Sequence, residues 1–174
     1  MMHLSIDSLP MPKLEGLLGL SRCPGTGDLI LAAGRQGLGN DLEAIRDWGA
    51  VGLLTLNETA ELEGLGLSAL QSEVEGRDLL WWHCPIPDFC APGRAFESAW
   101  DTAALQMREE LTAGRRVLIH CLAGLGRTGT VAARLLIEQG VPSETAIQRV
   151  RQARPRAIQS DEQFRYLLDQ QWKS

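Results

Sequence analysis

The stretch RRVLIHCLAGLGRTGTVAARLLIEQG, residues 115–140, decides the fold. Its first part, Arg115 to Cys121, is apolar and rich in β-branched residues, which predicts a buried strand. Its last part, Thr128 to Gln139, has apolar residues at helical spacing and stops at Gly140, a typical helix terminator. A strand that passes directly into a helix through a glycine-rich turn indicates an α/β layer fold.

The flanking sequence continues this alternation of strands and helices. The segments Ala50–Leu56 and Asp78–Ile86 predict further strands, and Arg94–Ala113 predicts a helix. The other predictions are a loop over Gly34–Gly39, a helix from Asn40 to about Trp48, a loop with weak helix over Asn57–Ser72, a loop over Asp88–Pro92, a helix from Pro142 to about Ala153 and a last helix from about Ser160. We therefore predict one domain over residues 1–174, a mostly parallel central sheet with helices on both faces. Residues 1–27 carry no diagnostic pattern.

Composition and charge restrict the function classes. The 174 residues are 44% hydrophobic and 22% charged, which is ordinary for a globular protein. The net charge of −5 argues against general nucleic-acid binding. The charge is uneven, because residues 1–114 are acidic on balance and residues 115–174 are basic, which indicates a local anion site. No apolar run reaches the roughly 18 residues of a membrane helix, and the N-terminus does not resemble a secretory signal. We expect a cytoplasmic protein without a membrane partner.

The four cysteines do not form a disulfide or zinc framework. Cys23, Cys84, Cys90 and Cys121 include no CxxC pair. The adjacent pairs His83-Cys84 and His120-Cys121 would point to opposite faces of a strand, which does not suit a tetrahedral zinc site. We expect no metal and no cofactor.

The loop after Cys121 has the features of an anion site. It contains no proline, so every residue from Leu122 to Arg127 keeps its N–H, and its glycines allow successive N–H groups to turn inward. A helix N-terminus behind the loop and the fork of Arg127 favour a bound phosphate and a thiolate at Cys121. The expected phosphate-binding residues are Leu122, Ala123, Gly124, Leu125, Gly126 and Arg127.

The sequence HCLAGLGRTG, residues 120–129, resembles the HCxxGxxR[ST]G signature of cysteine-dependent protein tyrosine phosphatases. The resemblance implies that Cys121 is the nucleophile and Arg127 the phosphate clamp. It implies that the hydroxyl of Thr128 helps the thiolate to leave in the second step, and that His120 supports the loop and the thiolate. A buried, satisfied histidine is compatible with that last role.

Two further segments match the same family. Residues 87–92, PDFCAP, resemble its acid loop, which implies that Asp88 protonates the leaving oxygen; the alternative is a turn residue between prolines. Residues 157–160, AIQS, together with Gln163, resemble the segment whose glutamine places the hydrolytic water. The matching position is Gln159, and the alternative is a polar loop residue.

Within the family the chain is most similar to the dual-specificity branch and to its small kinase-associated phosphatases, which act on phosphothreonine in cyclin-dependent kinases. The resemblance implies hydrolysis of phosphotyrosine, phosphoserine or phosphothreonine in a protein or peptide through a cysteinyl-phosphate intermediate. Leu122 and Leu125 stand where lipid-directed members have lysines, which disfavours a phosphoinositide.

Several alternatives remain open from the sequence alone. The substrate could be a phosphoinositide, nucleotide or sugar phosphate, and the chain could be a phosphate-binding adaptor or a sulfur-transfer domain. The run Arg149, Arg151, Arg154 and Arg156 either engages a second phosphate or, as we favour, forms a solvated helix face. Cys121 is expected to be sensitive to oxidation, and Cys90 is either its disulfide partner or a small apolar filler.

Overall fold

Parallel pairing brings the ends of four strands to one edge of a five-stranded sheet. The computed structural model describes residues 4–27, 34–170 and 172. The strands are β1 (Asp7–Pro10), β2 (Leu17–Arg22), β3 (Ala50–Thr55), β4 (Leu80–His83) and β5 (Arg116–Cys121). Their order across the sheet is β1-β2-β5-β3-β4. Only β1 is antiparallel to its neighbour, so β2, β5, β3 and β4 end at the same side.

The central strand β5 fixes where Cys121 lies. In the register of the sheet Cys121 is opposite Arg22 at the end of β2, and His120 is opposite Thr55 at the end of β3. All but the first residue of β5 are buried. Because ligands bind beyond the carboxyl ends of parallel strands, Cys121 lies where an α/β sheet offers a site.

Helices cover both faces of the sheet. The helices are α1 (Gly34–Asp47), α2 (Thr59–Gly64), α3 (Leu70–Glu75), α4 (Arg94–Thr112), α5 (Gly126–Glu138), α6 (Ser143–Ala153) and α7 (Asp161–Asp169). Two apolar clusters fill the layers, one under α4 to α7 and a smaller one under α1 to α3. The prediction of a single α/β domain with a mostly parallel sheet and helices on both faces is confirmed; its exact limits at 1–174 stay a prediction.

The predicted loop over Gly34–Gly39 is wrong, because α1 already begins at Gly34. Leu38, Leu42 and Ile45 follow helical spacing and are all buried in the smaller cluster. Burial of this apolar face outweighs the poor helix propensity of the glycines. The predicted start at Asn40 is therefore six residues late, whereas the predicted end near Trp48 agrees with the structure.

Residues 1–27 contain two strands that we did not predict. The strand β2 lies beside the central strand β5, yet its sequence LLGLSR has no β-branched residue. Gly19 within it passes close to the ring of Trp48, since a Cβ there would be 2.9 Å from the ring. The position is a close approach of backbone and side chain, which a propensity pattern does not report.

The predicted strand over Asp78–Ile86 is shorter in the structure, where β4 covers Leu80–His83. The chain stays extended beyond it, with the amide of Cys84 bonded to the carbonyl of Thr55 at 3.1 Å and that of Ile86 to Leu56 at 3.0 Å. This extension carries the chain to Asp88 at the edge where β5 ends.

Behind the site a buried arginine joins three helices. Arg134 on α5 pairs with Glu97 on α4 at 2.5 Å and with Glu138 on its own helix at 2.8 Å, and it donates to the hydroxyl of Tyr166 on α7. Its guanidinium also lies 5.2 Å from the ring of Trp100. These contacts hold α5, whose N-terminus begins at the loop after Cys121, against its neighbours.

Candidate active site

The loop between β5 and α5 is shaped by one glycine. Gly124 has φ of 69°, and a Cβ at this position would be 2.1 Å from the carbonyl oxygen of Ser21. No other residue fits such a close approach in this backbone conformation. The loop therefore turns tightly against β2 and returns to the helix that begins at Gly126. Cys121 is 3% exposed at the base of the turn.

Arg154 holds this loop from outside. Its Nε donates to the carbonyl of Gly124 at 2.5 Å, one Nη donates to the carbonyl of Ala123 at 3.1 Å, and the other pairs with Asp7 on β1 at 2.6 Å. In a trans peptide the C=O and the following N–H point in opposite directions. The amides of Gly124 and Leu125 are therefore directed away from Arg154.

The loop amides remain available as donors. In the part of the chain that the structure describes, the N–H groups of residues 122–125 donate no hydrogen bond to a protein group. The next amides belong to the first turn of α5, where helical geometry provides no acceptor. The arrangement is a set of convergent donors at a helix N-terminus, which suits an oxyanion.

Arg127 is held beside the loop by a carboxylate. It is 1% exposed, its two Nη groups donate to Glu61 on α2 at 2.7 and 2.9 Å, and one of them also donates to the carbonyl of Ile86 at 3.0 Å. Its Nε is buried and has no partner among the described residues. One edge of the guanidinium is thus fixed, and the Nε–H is left for a ligand.

The ion pair keeps both groups charged. Burial alone would raise the pKa of Glu61, but the hydrogen bonds and charge of Arg127 outweigh it and hold the pKa below its usual range. Burial alone would lower the pKa of Arg127, and Glu61 raises it above its usual value. Asn57 adds a hydrogen bond to Glu61 at 2.9 Å, which orients the carboxylate.

Asp88 reaches the same guanidinium from the acid loop, which we define as residues 87–92. Its Oδ1 lies 3.2 Å from an Nη of Arg127, and about half of its side chain is exposed. The next residue, Phe89, has φ of 59° and is 58% exposed. The carboxyl predicted to be the acid therefore lies at the mouth of the site, beside the predicted phosphate clamp.

His120 is fully buried under the loop and stays neutral. Burial lowers its pKa to about 3. Its Nε2 lies 2.8 Å from the hydroxyl of Thr55, which also accepts the indole N–H of Trp81 at 2.9 Å. The histidine is thereby fixed to β3 and β4, and it supports the backbone at Cys121 without adding charge.

Thr128 and Gln159, both predicted site residues, lie beside the loop after Cys121. The hydroxyl of Thr128, in the first turn of α5, is buried and has no partner within the described ranges. A Cβ on Gly126 would be 3.0 Å from the Oε1 of Gln159 and 3.1 Å from the side chain of Gln163. Both glutamine side chains therefore border the loop, and the absence of a side chain at Gly126 makes room for them.

Comparisons with known proteins agree with this geometry. Residues 32–141 match the family model described as "Polymorphic toxin system, DSP-PTPase phosphatase". The chain belongs to this dual-specificity phosphatase family. It is similar to cyclin-dependent kinase inhibitor 3 of Homo sapiens, with 30% identity over 95% of this chain and 76% of that protein. It is also similar to protein tyrosine phosphatase type IVA 2 of Mus musculus, with 36% identity over 65% of this chain and 72% of that protein.

Solved structures show the same relationship. A crystal structure of kinase associated phosphatase, with a serine in place of its catalytic cysteine, superposes with a TM-score of 0.85, 25% identity and coverage of 99% of this chain and 96% of that one. Tk-PTP in its active form gives a TM-score of 0.70 at 27% identity, over 95% of this chain and 97% of that one. The protein is a cysteine-dependent protein phosphatase, so the readings as a sulfur-transfer domain, a phosphate-binding adaptor or a phosphatase of non-protein esters are not favoured.

The four arginines of the basic run, residues 149–156, have different surroundings in the structure. Arg154 holds the loop, and Arg151 donates to the carbonyls of Ala157 and Ile158, both at 3.0 Å, which shapes the segment before Gln159. Arg149 and Arg156 are exposed. The favoured prediction of a solvated helix face is therefore wrong for Arg154, which is half-buried against the loop, whereas Arg151 is exposed and also bonds to backbone carbonyls.

Three further cysteines of the phosphatase lie outside the loop. Cys23 follows β2, and its amide donates to the carbonyl of Leu122 at 3.0 Å. Burial raises the pKa of Cys23 above its usual range and that of Cys84 to about 12, so both stay protonated. Cys90, in the acid loop, is half-buried against the apolar cluster that includes Cys121. Its disulfide pairing with Cys121 on oxidation stays a prediction.

The described residues of the phosphatase form neither a metal-ion cluster nor a membrane-spanning helix. Among the residues that the structure describes, no three His, Cys, Asp or Glu side chains are placed to hold a metal ion. No helix in those same ranges is long and apolar enough to cross a membrane.

Three contacts at the site were not predicted from the sequence. Glu61 bonds to Arg127, Arg154 bonds to the carbonyls of the loop, and the buried Gln163 bonds to both Gln159 and Cys90. Glu61 is one of many acidic residues in the first two thirds of the chain and has no fixed spacing from Cys121. Gln163 is fully buried, and its Oε1 accepts the amides of Gln159 and Ser160 at 3.0 and 3.2 Å. The sequence offered Gln163 through its similarity to the family segment at residues 157–163, and a serine followed three residues later by a glutamine is also a capping pattern.

Proposed function

We propose that this phosphatase hydrolyses phosphoproteins in two steps at Cys121. In the first step the Cys121 thiolate forms a bond to phosphorus, the ester P–O bond breaks, and the departing oxygen takes a proton from Asp88. In the second step a water placed by Gln159 attacks phosphorus, its proton passes to the Asp88 carboxylate, and the S–P bond breaks. Two easier displacements replace one difficult displacement.

The observation that carries this proposal is the convergence of unpaired donors around Cys121. The amides of residues 122–125 and the Nε of Arg127 have no protein acceptor in the described part of the chain. Donors that are fixed before the reaction and aimed at a transferring phosphoryl group stabilise the charge that it carries. Arg154 outside the loop and the tight turn at Gly124 within it supply that rigidity.

The remaining side chains have supporting roles in the proposal. Asp88 acts first as the acid and then as the base, and the support is its distance of 3.2 Å from Arg127. The unpartnered hydroxyl of Thr128 donates to the Cys121 sulfur when that sulfur becomes the leaving group. His120 stays uncharged and positions the strand end.

The proposed substrate is a phosphorylated protein, and a protein kinase is the proposed partner class. The support is the similarity to proteins named cyclin-dependent kinase inhibitor 3 and kinase associated phosphatase. The rim residues Leu122 and Leu125 carry no positive charge for the further phosphates of a phosphoinositide. Activity on phosphotyrosine, phosphoserine or phosphothreonine, and a cytoplasmic location, are parts of the same proposal.

A panel of phosphopeptides tests the proposal. Wild-type enzyme should release phosphate from phosphotyrosine or phosphothreonine peptides, and Cys121→Ser should release none while still binding tungstate. Cys84→Ser makes the same atomic change at a buried cysteine outside the site, and it should keep activity. Release from a phosphoinositide or a nucleotide in place of every peptide would overturn the assignment of a protein substrate. Loss of tungstate binding in the folded Cys121→Ser protein would contradict the loop geometry.

A second experiment tests the acid. Asp88→Asn should slow hydrolysis of alkyl phosphates, whose leaving oxygen needs a proton, by about 100-fold or more, and should slow activated aryl phosphates much less. Equal losses on both classes of ester would show that Asp88 does not protonate the leaving group.

A further inference from the structure

Three hydrogen bonds tie the acid loop to the first turn of α7. The hydroxyl of Ser160 donates to the carbonyl of Phe89 at 2.7 Å. The side-chain amide of Gln163 donates to the carbonyl of Cys90 at 3.2 Å, and the amide of Ala91 donates to the Oε1 of Glu162 at 2.9 Å. Three consecutive residues after Asp88 are thus each bonded to a different side chain of one helix end.

The loop has a backbone conformation that needs such support. Phe89 has φ of 59°, a region that bulky residues rarely adopt, and its side chain is 58% exposed, so packing of the ring does not impose the conformation. A conformation of this kind persists only where the surrounding structure holds it, and such positions cluster at functional sites. The Ser160 hydrogen bond acts on the carbonyl of this same residue.

The far end of the acid loop borders a cleft beside α7. Ala91 and Pro92 border a cleft of about 480 Å³ that is shared with Glu162, Arg165 and Tyr166 on α7. The Ala91 amide and the Glu162 carboxylate meet at the edge of this cleft. Removal of the carboxylate would leave the Ala91 amide without this acceptor.

The same helix end also shapes the segment that carries Gln159. Gln163 accepts the amides of Gln159 and Ser160 through its Oε1, and Ser160 in turn caps α7 by accepting the amide of Gln163 at 3.1 Å. The acid loop and the Gln159 segment are therefore fixed to one another through α7.

We propose that Ser160 and Glu162 are positioning residues that latch the acid loop in the position where Asp88 contacts Arg127. The inference rests on the proposed role of Asp88 as the acid. Neither side chain forms a hydrogen bond to residues 122–127 in the described part of the chain, so both act through the acid loop. Their removal should lower the fraction of time that the carboxyl of Asp88 is in reach of the leaving oxygen, without altering phosphate binding at Cys121.

The test compares substrates with two kinds of leaving group in variants of Ser160 and Glu162, the two residues that we call the latch. Ser160→Ala and Glu162→Ala should each slow hydrolysis of an alkyl phosphate, such as a phosphothreonine peptide, by about tenfold or more. Each should change hydrolysis of an activated aryl phosphate less than about twofold, since a good leaving group needs little protonation. Asp161→Ala, on the exposed residue between them, is the matched control and should change neither rate.

Two further measurements separate positioning from general stability. In the Asp88→Asn background the same two substitutions should cause no additional loss, because the group that they position is gone. Ser160→Thr and Glu162→Gln, which keep the donor and the acceptor, should recover most of the wild-type rate. Since loss of the Ser160 cap could unfold α7, Glu162→Ala at the exposed helix surface carries the test if Ser160→Ala does not fold.

The results that overturn the latch differ from those that overturn the proposed function. Equal losses on both leaving groups, losses additive with Asp88→Asn, or no loss in either variant would each refute the latch. If Asp88→Asn alone shows no dependence on the leaving group, the assignment of the acid fails, and the latch fails with it.

Discussion

The carboxylate of Glu61 holds both Nη groups of Arg127, at 2.7 and 2.9 Å, in a cleft where Arg127 is almost fully buried. A buried guanidinium without a counter-charge is costly, and a mobile one binds a ligand less well because it must first be ordered. The two hydrogen bonds therefore serve both the stability of the fold and the readiness of the phosphate site.

Glu61→Gln should weaken both properties. The amide has no charge and only one acceptor oxygen, so we expect a loss of about 2 kcal/mol in the free energy of unfolding and a fall of about 10- to 100-fold in kcat/KM. Chemical denaturation and steady-state kinetics measure the two effects. Glu63→Gln, two residues away and exposed, is the control. Similar losses in both variants would show that general charge, and not the hold on Arg127, matters.

Arg154→Ala should increase the mobility of the loop formed by residues 122–127. Without its hydrogen bonds the carbonyls of Ala123 and Gly124 are no longer fixed, and the amides that they orient lose their direction. We expect binding of tungstate to weaken by about tenfold or more, since several charge-assisted hydrogen bonds are lost. Isothermal titration measures it. Arg149→Ala removes the same charge from an exposed position on α6, the helix that Arg154 follows, and an equal loss there would contradict the argument.

A comparison of Gly124→Ala with Gly66→Ala distinguishes the cost of a positive φ from the cost of a steric clash. Both glycines have positive φ, 69° and 71°, but a Cβ on Gly124 would be 2.1 Å from the carbonyl oxygen of Ser21, whereas a Cβ on Gly66 would meet nothing within 4 Å. Gly66→Ala should cost about 1–2 kcal/mol and keep activity. Gly124→Ala should cost clearly more and abolish activity. Equal unfolding midpoints for the two variants would rule out the predicted collision.

Protonation of His120 should make the fold sensitive to acid. Its pKa is lowered by burial to about 3, so between that pH and the ordinary value near 6.5 the unfolded chain binds a proton that the native protein does not. Stability from this group is therefore complete above about pH 6.5 and falls as the pH decreases. From pH 6.5 to 5, before most carboxylates titrate, we expect a loss of about 2 kcal/mol in the free energy of unfolding.

His120→Asn removes that proton site and should flatten the profile over the same interval. Urea denaturation at several pH values gives the comparison. A variant whose stability falls with pH as steeply as that of the wild type would show that His120 titrates in the native protein near its ordinary value.

The sequence predicted the parts of the site that one continuous motif carries. Cys121 and Arg127 lie in a single strand–loop–helix unit, so their spacing determines their geometry. The position of Asp88 beside Arg127 agrees with its prediction from a segment between two prolines after a strand, and its role as the acid stays a prediction. The fold class followed from alternating strands and helices, which is a local signal of the same kind.

The residues that the sequence did not reveal act across long separations in the chain. Glu61 and Arg127 are 66 positions apart, and Arg154 and Asp7 are 147 apart. Ion pairs of this kind leave no periodic signal, and an arginine that bonds to backbone carbonyls has the same sequence pattern as an arginine in solvent. The strand β2 was missed for a related reason: its place beside the centre of the sheet is set by its neighbours and not by its own composition.

The bond between Arg154 and the two loop carbonyls has a consequence for synthesis of the protein. When a ribosome has just added Arg127, the nascent chain already contains Cys121, Asp88 and Arg127, the proposed nucleophile, acid and clamp. Arg154, which bonds to the loop carbonyls, is still 27 codons away, and α7, whose first turn bonds to the acid loop, follows it. Activity should therefore appear late in translation, only after Arg154 and α7 have been added to a chain that already contains Cys121, Asp88 and Arg127.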